Sequence, residues 1–209
     1  MMLGAYNLAC LVTLLGLAAA IAACFLSFEA KIELALVGLM VAGIADLFDG
    51  PIARRLKRTD YEREYGVQLD TVVDMVSFVV TPIIIAVGAG LRSPVAFSIM
   101  SVFVLSGAVR LAHFNTMKAQ GADLSSSHRG LPVTYTALAF PFLYIAKDYS
   151  ASSGFHALLQ ASFVAFAVLF IVDVPIRKPR GVFYVLFPLL AVVLISYWIW
   201  RSTVNVPSA

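Results

Sequence analysis

An all-α, polytopic membrane bundle of six to seven transmembrane helices is the fold class predicted for this 209-residue chain. Three observations predict it. Hydrophobic residues make up 61% of the sequence and charged ones only 13%. The mean hydropathy is +0.91. Apolar runs of about 20 residues, each long enough to cross a bilayer, recur between short polar breaks. The formal charge of +3 is too small to argue for a nucleic-acid partner.

The runs fall at 5–26, 33–53, 68–88, 93–117, 131–149, 154–173 and 181–200. The first lacks a basic leading region and exceeds a signal-peptide core, so it is read as a retained span. It holds both cysteines, Cys10 and Cys24, whose fourteen-residue separation puts them about 21 Å apart on a helix, beyond disulfide reach; they are given no role. The second run ends, and the third begins, in acidic residues. The fourth carries Arg110 near its end, and the fifth opens on Gly130-Leu131-Pro132. The seventh is interrupted by Pro188, and its Tyr197, Trp198 and Trp200 read as an interfacial aromatic belt. Residues 1–209 form one integral membrane domain.

Orientation follows from the basic residues. With the 54–65 loop in the cytoplasm, alternation places the 118–130 and 174–180 loops there too. That side then collects Arg54, Arg55, Lys57, Arg58, Arg63, Arg110, Lys118, Arg129, Arg177, Lys178 and Arg180, against Lys31, Arg92, Lys147 and Arg201 on the other. The bias predicts a multi-pass protein of the cytoplasmic (inner) membrane with a cytoplasmic N-terminus. His128 and Arg129 sit in a polar loop and are read as solvated.

The chemistry-bearing residues lie where the second and third runs meet, at Asp46-Leu47-Phe48-Asp49-Gly50-Pro51-Ile52-Ala53-Arg54 and Gly66-Val67-Gln68-Leu69-Asp70-Thr71-Val72-Val73-Asp74. On a helix, Asp46, Asp49 and Ala53 share a face, as do Gly66, Asp70 and Asp74. Two neighbouring helices thus present four carboxylates to one point, with Gly50, Ala53 and Gly66 letting a ligand or a backbone approach closely. A single aspartate at a membrane surface is more often solvated, or paired with arginines such as Arg54 and Arg55. Four on matched faces are different. Each costs about 2.5–3.5 kcal/mol at a span's centre and less near the interface, and clustering adds repulsion that a divalent cation cancels. An all-oxygen donor set suits Mg²⁺ or Mn²⁺, with Ca²⁺ as an alternative, rather than zinc.

The pattern Asp-x2-Asp-Gly-x2-Ala-Arg…Gly-x3-Asp-x3-Asp resembles the signature of the CDP-alcohol phosphotransferases, integral membrane enzymes that pass a phosphatidyl or related group from a CDP-linked donor to an alcohol. The resemblance implies that Asp46, Asp49 and Asp70 are metal ligands. It makes Asp74 both a ligand and the catalytic base for the acceptor hydroxyl. It also places Asp49, Gly50, Ala53, Arg54 and Gly66 around the CDP moiety, with Arg54 near the diphosphate. Two ions and a homodimer are further implications. A two-metal centre can hold such a donor and stabilise the CMP leaving group, and a positioned carboxylate activates a poorly nucleophilic hydroxyl. The eleven residues between Arg54 and Gly66 form a longer linker than many relatives carry.

Later segments bear on the acceptor. Asp70-Thr-Val-Val-Asp74-Met-Val-Ser77-Phe78…Pro82, Arg110-Leu-Ala-His113-Phe114-Asn115 and Gly130-Leu131-Pro132 are similar to the phosphatidylserine synthase branch, although Val79, Thr81 and His113 depart from it. The implied donor is CDP-diacylglycerol and the implied acceptor L-serine, with Arg110, Asn115 and Ser77 as acceptor-binding residues. Arg110 is given an anionic group of acceptor or donor. Glycerol 3-phosphate or inositol phosphate calls for several converging basic residues beyond Arg54 and Arg110, and the sequence identifies no convincing cluster of them. Choline is a rival, because Gly50-Pro51-Ile52-Ala53-Arg54 and the long linker also resemble phosphatidylcholine synthases. A cation transporter is the reading from another class; it predicts carboxylates near mid-bilayer rather than beside a loop.

Overall fold

The computed structural model describes residues 4–120, 127–173, 175–177 and 183–204. Their order is α1 (Leu8–Phe28), α2 (Ile32–Arg55), α3 (Asp60–Asp74), a π-helical turn (Met75–Val80), α4 (Thr81–Gly88), α5 (Pro94–Ala119), β1 (Ser127–Arg129), α6 (Thr136–Tyr144), α7 (Ser152–Ile171), β2 (Pro175–Arg177) and α8 (Phe183–Val204). Short 3₁₀ turns, Val133–Tyr135 and Ile145–Asp148, flank α6.

Among the described residues, five helices are long and apolar enough to cross a membrane: Leu8–Phe28, the continuous Asp60–Gly88, Pro94–Ala119, Ser152–Ile171 and Leu186–Val204. The expected count of six to seven also included α2, which carries Glu33, Asp46, Asp49, Arg54 and Arg55, and the segment around α6, whose α-helical part is only nine residues. The helical-bundle expectation holds, with one addition. Strands β1 and β2 pair antiparallel, His128 opposite Ile176, and so tie together two loops that alternation had placed on one side.

The third span begins earlier than the sequence suggested. Thr59 caps α3 by accepting a hydrogen bond from the Glu62 amide, and the Glu62 carboxylate accepts one from the Thr59 amide. This capping box satisfies two helix-end donors. It turns most of the expected 54–65 loop into helix and leaves only 56–59 as the connection.

Close packing fixes α1 against α2. A Cβ on Gly38 would lie 2.9 Å from the Ala19 carbonyl oxygen, and one on Gly16 3.0 Å from the Ala45 Cβ. Small residues let helices approach like this inside a bilayer, where van der Waals contact drives association. Gly43 does the same toward α6, where an added Cβ would sit 2.6 Å from the Ala137 Cβ. Behind this layer Phe103, Phe140 and Phe163 join α5, α6 and α7, with ring centroids 4.7–6.3 Å apart.

The π-turn runs up to Pro82, and a contact from α6 satisfies the carbonyl that the proline leaves free. Pro82 has no N–H for the Phe78 carbonyl four residues back. That carbonyl accepts instead from the Thr136 hydroxyl at 2.8 Å, while the Thr81 hydroxyl bonds the Val76 carbonyl at 2.9 Å. Asp74 immediately precedes this irregular turn.

At the far end of the bundle, Arg201 on α8 pairs with Asp148, and the Tyr197 hydroxyl reaches the same carboxylate. The aromatic-belt expectation divides here. Trp200 is exposed, whereas Trp198 is buried in the core and is not a belt residue. Lys178 and Arg180, and the side chains of His128, Arg129 and Arg177, lie outside the described residues.

Candidate active site

The helical spacing read from sequence becomes one acidic centre. Asp46 and Asp49 descend from the last turns of α2, and Asp70 faces them from α3. One carboxylate oxygen from each of these three lies within 4.8 Å of the others. Asp74 follows one helical turn beyond Asp70 at the end of α3, and its carboxyl interacts electrostatically with that of Asp46. Asp49 is buried, and the other three are half-buried. Like charges held this close in a partly dry site repel strongly, and a cation among them removes the repulsion. The donors are all carboxylate oxygens, so the set fits a hard divalent ion.

Above this centre opens a cavity of about 310 Å³, the size of a small-ligand site. Asp49, Gly50, Ala53, Arg54 and Gly66, the five residues expected around the donor, all line it together with Asp70. Gly50 and Gly66 differ from the packing glycines. A Cβ on Gly50 would meet only the Arg54 Nη1, at 3.5 Å, and one on Gly66 only the Arg58 Nη1, at 3.6 Å. Protein packing therefore does not require glycine at either position; both leave cavity volume open.

The structure adds residues that the sequence reading missed. Arg58 and Arg63, around the start of α3, and Lys118, at the end of α5, line the same cavity as Arg54. Four cationic side chains thus converge on one opening, which corrects the expectation that no such cluster exists beyond Arg54 and Arg110. No sequence signal joins Lys118 to Arg58, because their proximity is tertiary. Ala9, Cys10 and Thr13 of α1 complete the wall, so the N-terminal end of α1 lies on the same side as the α2–α3 connection.

The three expected acceptor residues lie apart from this cavity's lining. Asn115 donates to the Thr71 hydroxyl at 2.6 Å, next to Asp70 in sequence. The Ser77 hydroxyl is buried in the π-turn and has no hydrogen-bond partner. Arg110 is buried, donating from Nε to the Leu131 carbonyl and from Nη2 to the Gly130 carbonyl, both at 3.2 Å; its guanidinium also lies 5.7 Å from the Phe114 ring centroid. The expectation of a direct anion contact therefore meets a guanidinium already engaged with backbone. Gly130 takes φ +76°, favourable for glycine, to bring those carbonyls to Arg110.

Membrane-length helices, three carboxylates that could hold a metal ion and a cavity lined by four cationic side chains define a class: a helical membrane protein with an acidic centre beside a basic cavity. Comparison makes the class specific. The CDP-alcohol phosphatidyltransferase model matches residues 6–174, and the chain belongs to that family. It is 28% identical over 156 residues to an archaetidylserine synthase of Methanothermobacter thermautotrophicus, covering 74% of this chain and 62% of that protein. It is 37% identical over 108 residues to a CDP-diacylglycerol–serine O-phosphatidyltransferase of Saccharomyces cerevisiae, covering 49% and 38%. It is also 34% identical over 144 residues to a phosphatidylcholine synthase of Bradyrhizobium diazoefficiens, covering 68% and 51%. The chain thus spans roughly half the length of the curated relatives it matches.

Proposed function

We propose that this protein transfers a phosphatidyl group from CDP-diacylglycerol to the hydroxyl of L-serine and releases CMP, at the cytoplasmic face of the inner membrane and as a homodimer. The observation that carries this reading is the cavity itself. Asp49 and Asp70 line it beside four cationic side chains, and two glycines leave it open without being needed for packing.

Asp46, Asp49, Asp70 and Asp74 would hold the divalent metal, Mg²⁺ or Mn²⁺, with two ions expected. When bound, the metal neutralises the donor's diphosphate and polarises the phosphorus under attack. The chain's own residues do the rest. Arg54, aided by Arg58, Arg63 and Lys118, offers charge-assisted hydrogen bonds to the diphosphate. Gly50, Ala53 and Gly66 admit the nucleotide. Asp74 takes the proton from the serine hydroxyl as the new P–O bond forms and the bond to CMP breaks. Ser77, with its unpaired hydroxyl, and Asn115 are assigned to the acceptor's polar groups. Arg110 is assigned to the same side, braced against Gly130 and Leu131.

Serine is favoured by two of the relatives, the archaetidylserine synthase and the CDP-diacylglycerol–serine O-phosphatidyltransferase. The phosphatidylcholine synthase relative nevertheless keeps choline as the rival, and the converging cations give glycerol 3-phosphate a place beside it. The test is an acceptor panel. Purified protein with CDP-diacylglycerol and Mn²⁺ is offered serine, choline, glycerol 3-phosphate or inositol phosphate, and the lipid product is identified by mass spectrometry. Phosphatidylserine is expected. A product from another acceptor alone would overturn the serine assignment while keeping the reaction class.

A further inference from the structure

The acidic centre has a contributor from outside the two helices that supply its carboxylates. Thr13, on α1, is buried, and its hydroxyl donates to the Asp49 Oδ2 at 2.7 Å across 36 residues of sequence. The same hydroxyl lies 3.1 Å from the Ala9 carbonyl. A hydroxyl has one proton, and the shorter contact is to the charged acceptor, the stronger kind of hydrogen bond. Asp49 is carried by α2, so the Thr13 hydroxyl refers its carboxylate to another helix.

We infer that Thr13 is a positioning residue: it fixes the rotation of the Asp49 carboxylate, so that α1 presets the metal centre formed by α2 and α3. The glycine packing supports this. Gly16 stands one turn after Thr13 and meets Ala45, one turn before Asp49, so a close approach of α1 and α2 sits beside the Thr13–Asp49 bond. Groups that orient a metal-binding carboxylate act on affinity without touching the ion, and losing one typically weakens binding 10–100-fold. The inference rests on the metal reading proposed above.

The test is Mn²⁺ binding to the purified full-length protein, followed by titration calorimetry and by the Mn²⁺ electron paramagnetic resonance signal, independently of turnover. Thr13→Val removes the hydroxyl at nearly constant shape, Thr13→Ala removes it without a branched side chain, and Thr13→Ser keeps it. The expected result is Mn²⁺ affinity about 10–100-fold weaker for the Val and Ala variants and close to wild type for Ser. Turnover of the weakened variants should recover substantially at saturating Mn²⁺. Should Thr13→Val fail to fold, the Ala and Ser pair decides the matter. Equal Mn²⁺ affinity in wild type and the hydroxyl-free variants would overturn the role of Thr13 alone. A wild-type protein that binds no Mn²⁺ would overturn the metal reading together with it.

Discussion

Asp74→Asn should abolish phosphatidyl transfer while leaving the bundle folded. The amide keeps the shape of the carboxylate but cannot accept the hydroxyl proton as a base. It also weakens one of four carboxylates around the proposed metal. A positioned base alone is worth about 10²–10⁴-fold in rate, so kcat should fall by at least that much. Stability should move the other way. The Asp74 carboxyl interacts with that of Asp46, and an amide there adds no like charge to the cluster. The variant should melt at or above the wild-type temperature in the absence of metal. Full activity in Asp74→Asn would sink the base assignment, and an unfolded variant would show that this carboxyl serves the fold instead.

Gly66→Leu should separate binding from folding just as sharply. A Cβ there meets only the tip of the Arg58 side chain, at 3.6 Å, so the bundle need not move. Replacing glycine within a helix gains roughly 0.5–1 kcal/mol, and the variant should be no less stable than wild type. The leucine would, however, enter the volume proposed for the nucleotide. A loss of at least about tenfold in kcat/KM for the donor, about 1.4 kcal/mol, is expected. Gly43→Leu is the control: its Cβ would lie 2.6 Å from the Ala137 Cβ, and overpacking of this kind costs about 1–3 kcal/mol. Unchanged donor kinetics in Gly66→Leu would place the nucleotide elsewhere.

The acidic centre was legible in the sequence because it obeys a local rule. Carboxylates spaced three and four apart must share a helical face, and two such faces on consecutive helices have few ways to avoid meeting. The start of α3 was legible too, since Thr59-Asp60-Tyr61-Glu62 is a capping-box pattern. The dense charge of the 54–65 stretch nevertheless made it read as a loop. Thr13, Lys118 and the Arg110 contacts were of another kind. A lone threonine in an apolar run carries no sign of a partner 36 residues away. Arg110 shows a charge but not that the Gly130 and Leu131 carbonyls already engage it. The Phe78 carbonyl that Pro82 leaves free is met by the Thr136 hydroxyl only after α6 has packed. Local periodicity therefore specified the carboxylates, whereas the groups that orient them and surround the opening were specified by tertiary packing.

The most direct test of the central claim is CMP release from CDP-diacylglycerol by the purified wild-type protein, followed by phosphorus NMR. With Mg²⁺ or Mn²⁺ present, adding serine should produce CMP and a phosphatidyl lipid in equal amounts, and a chelator should stop both. CMP release that continues undiminished in chelator, or its absence with every acceptor and metal supplied, would contradict phosphatidyl transfer at this four-aspartate centre.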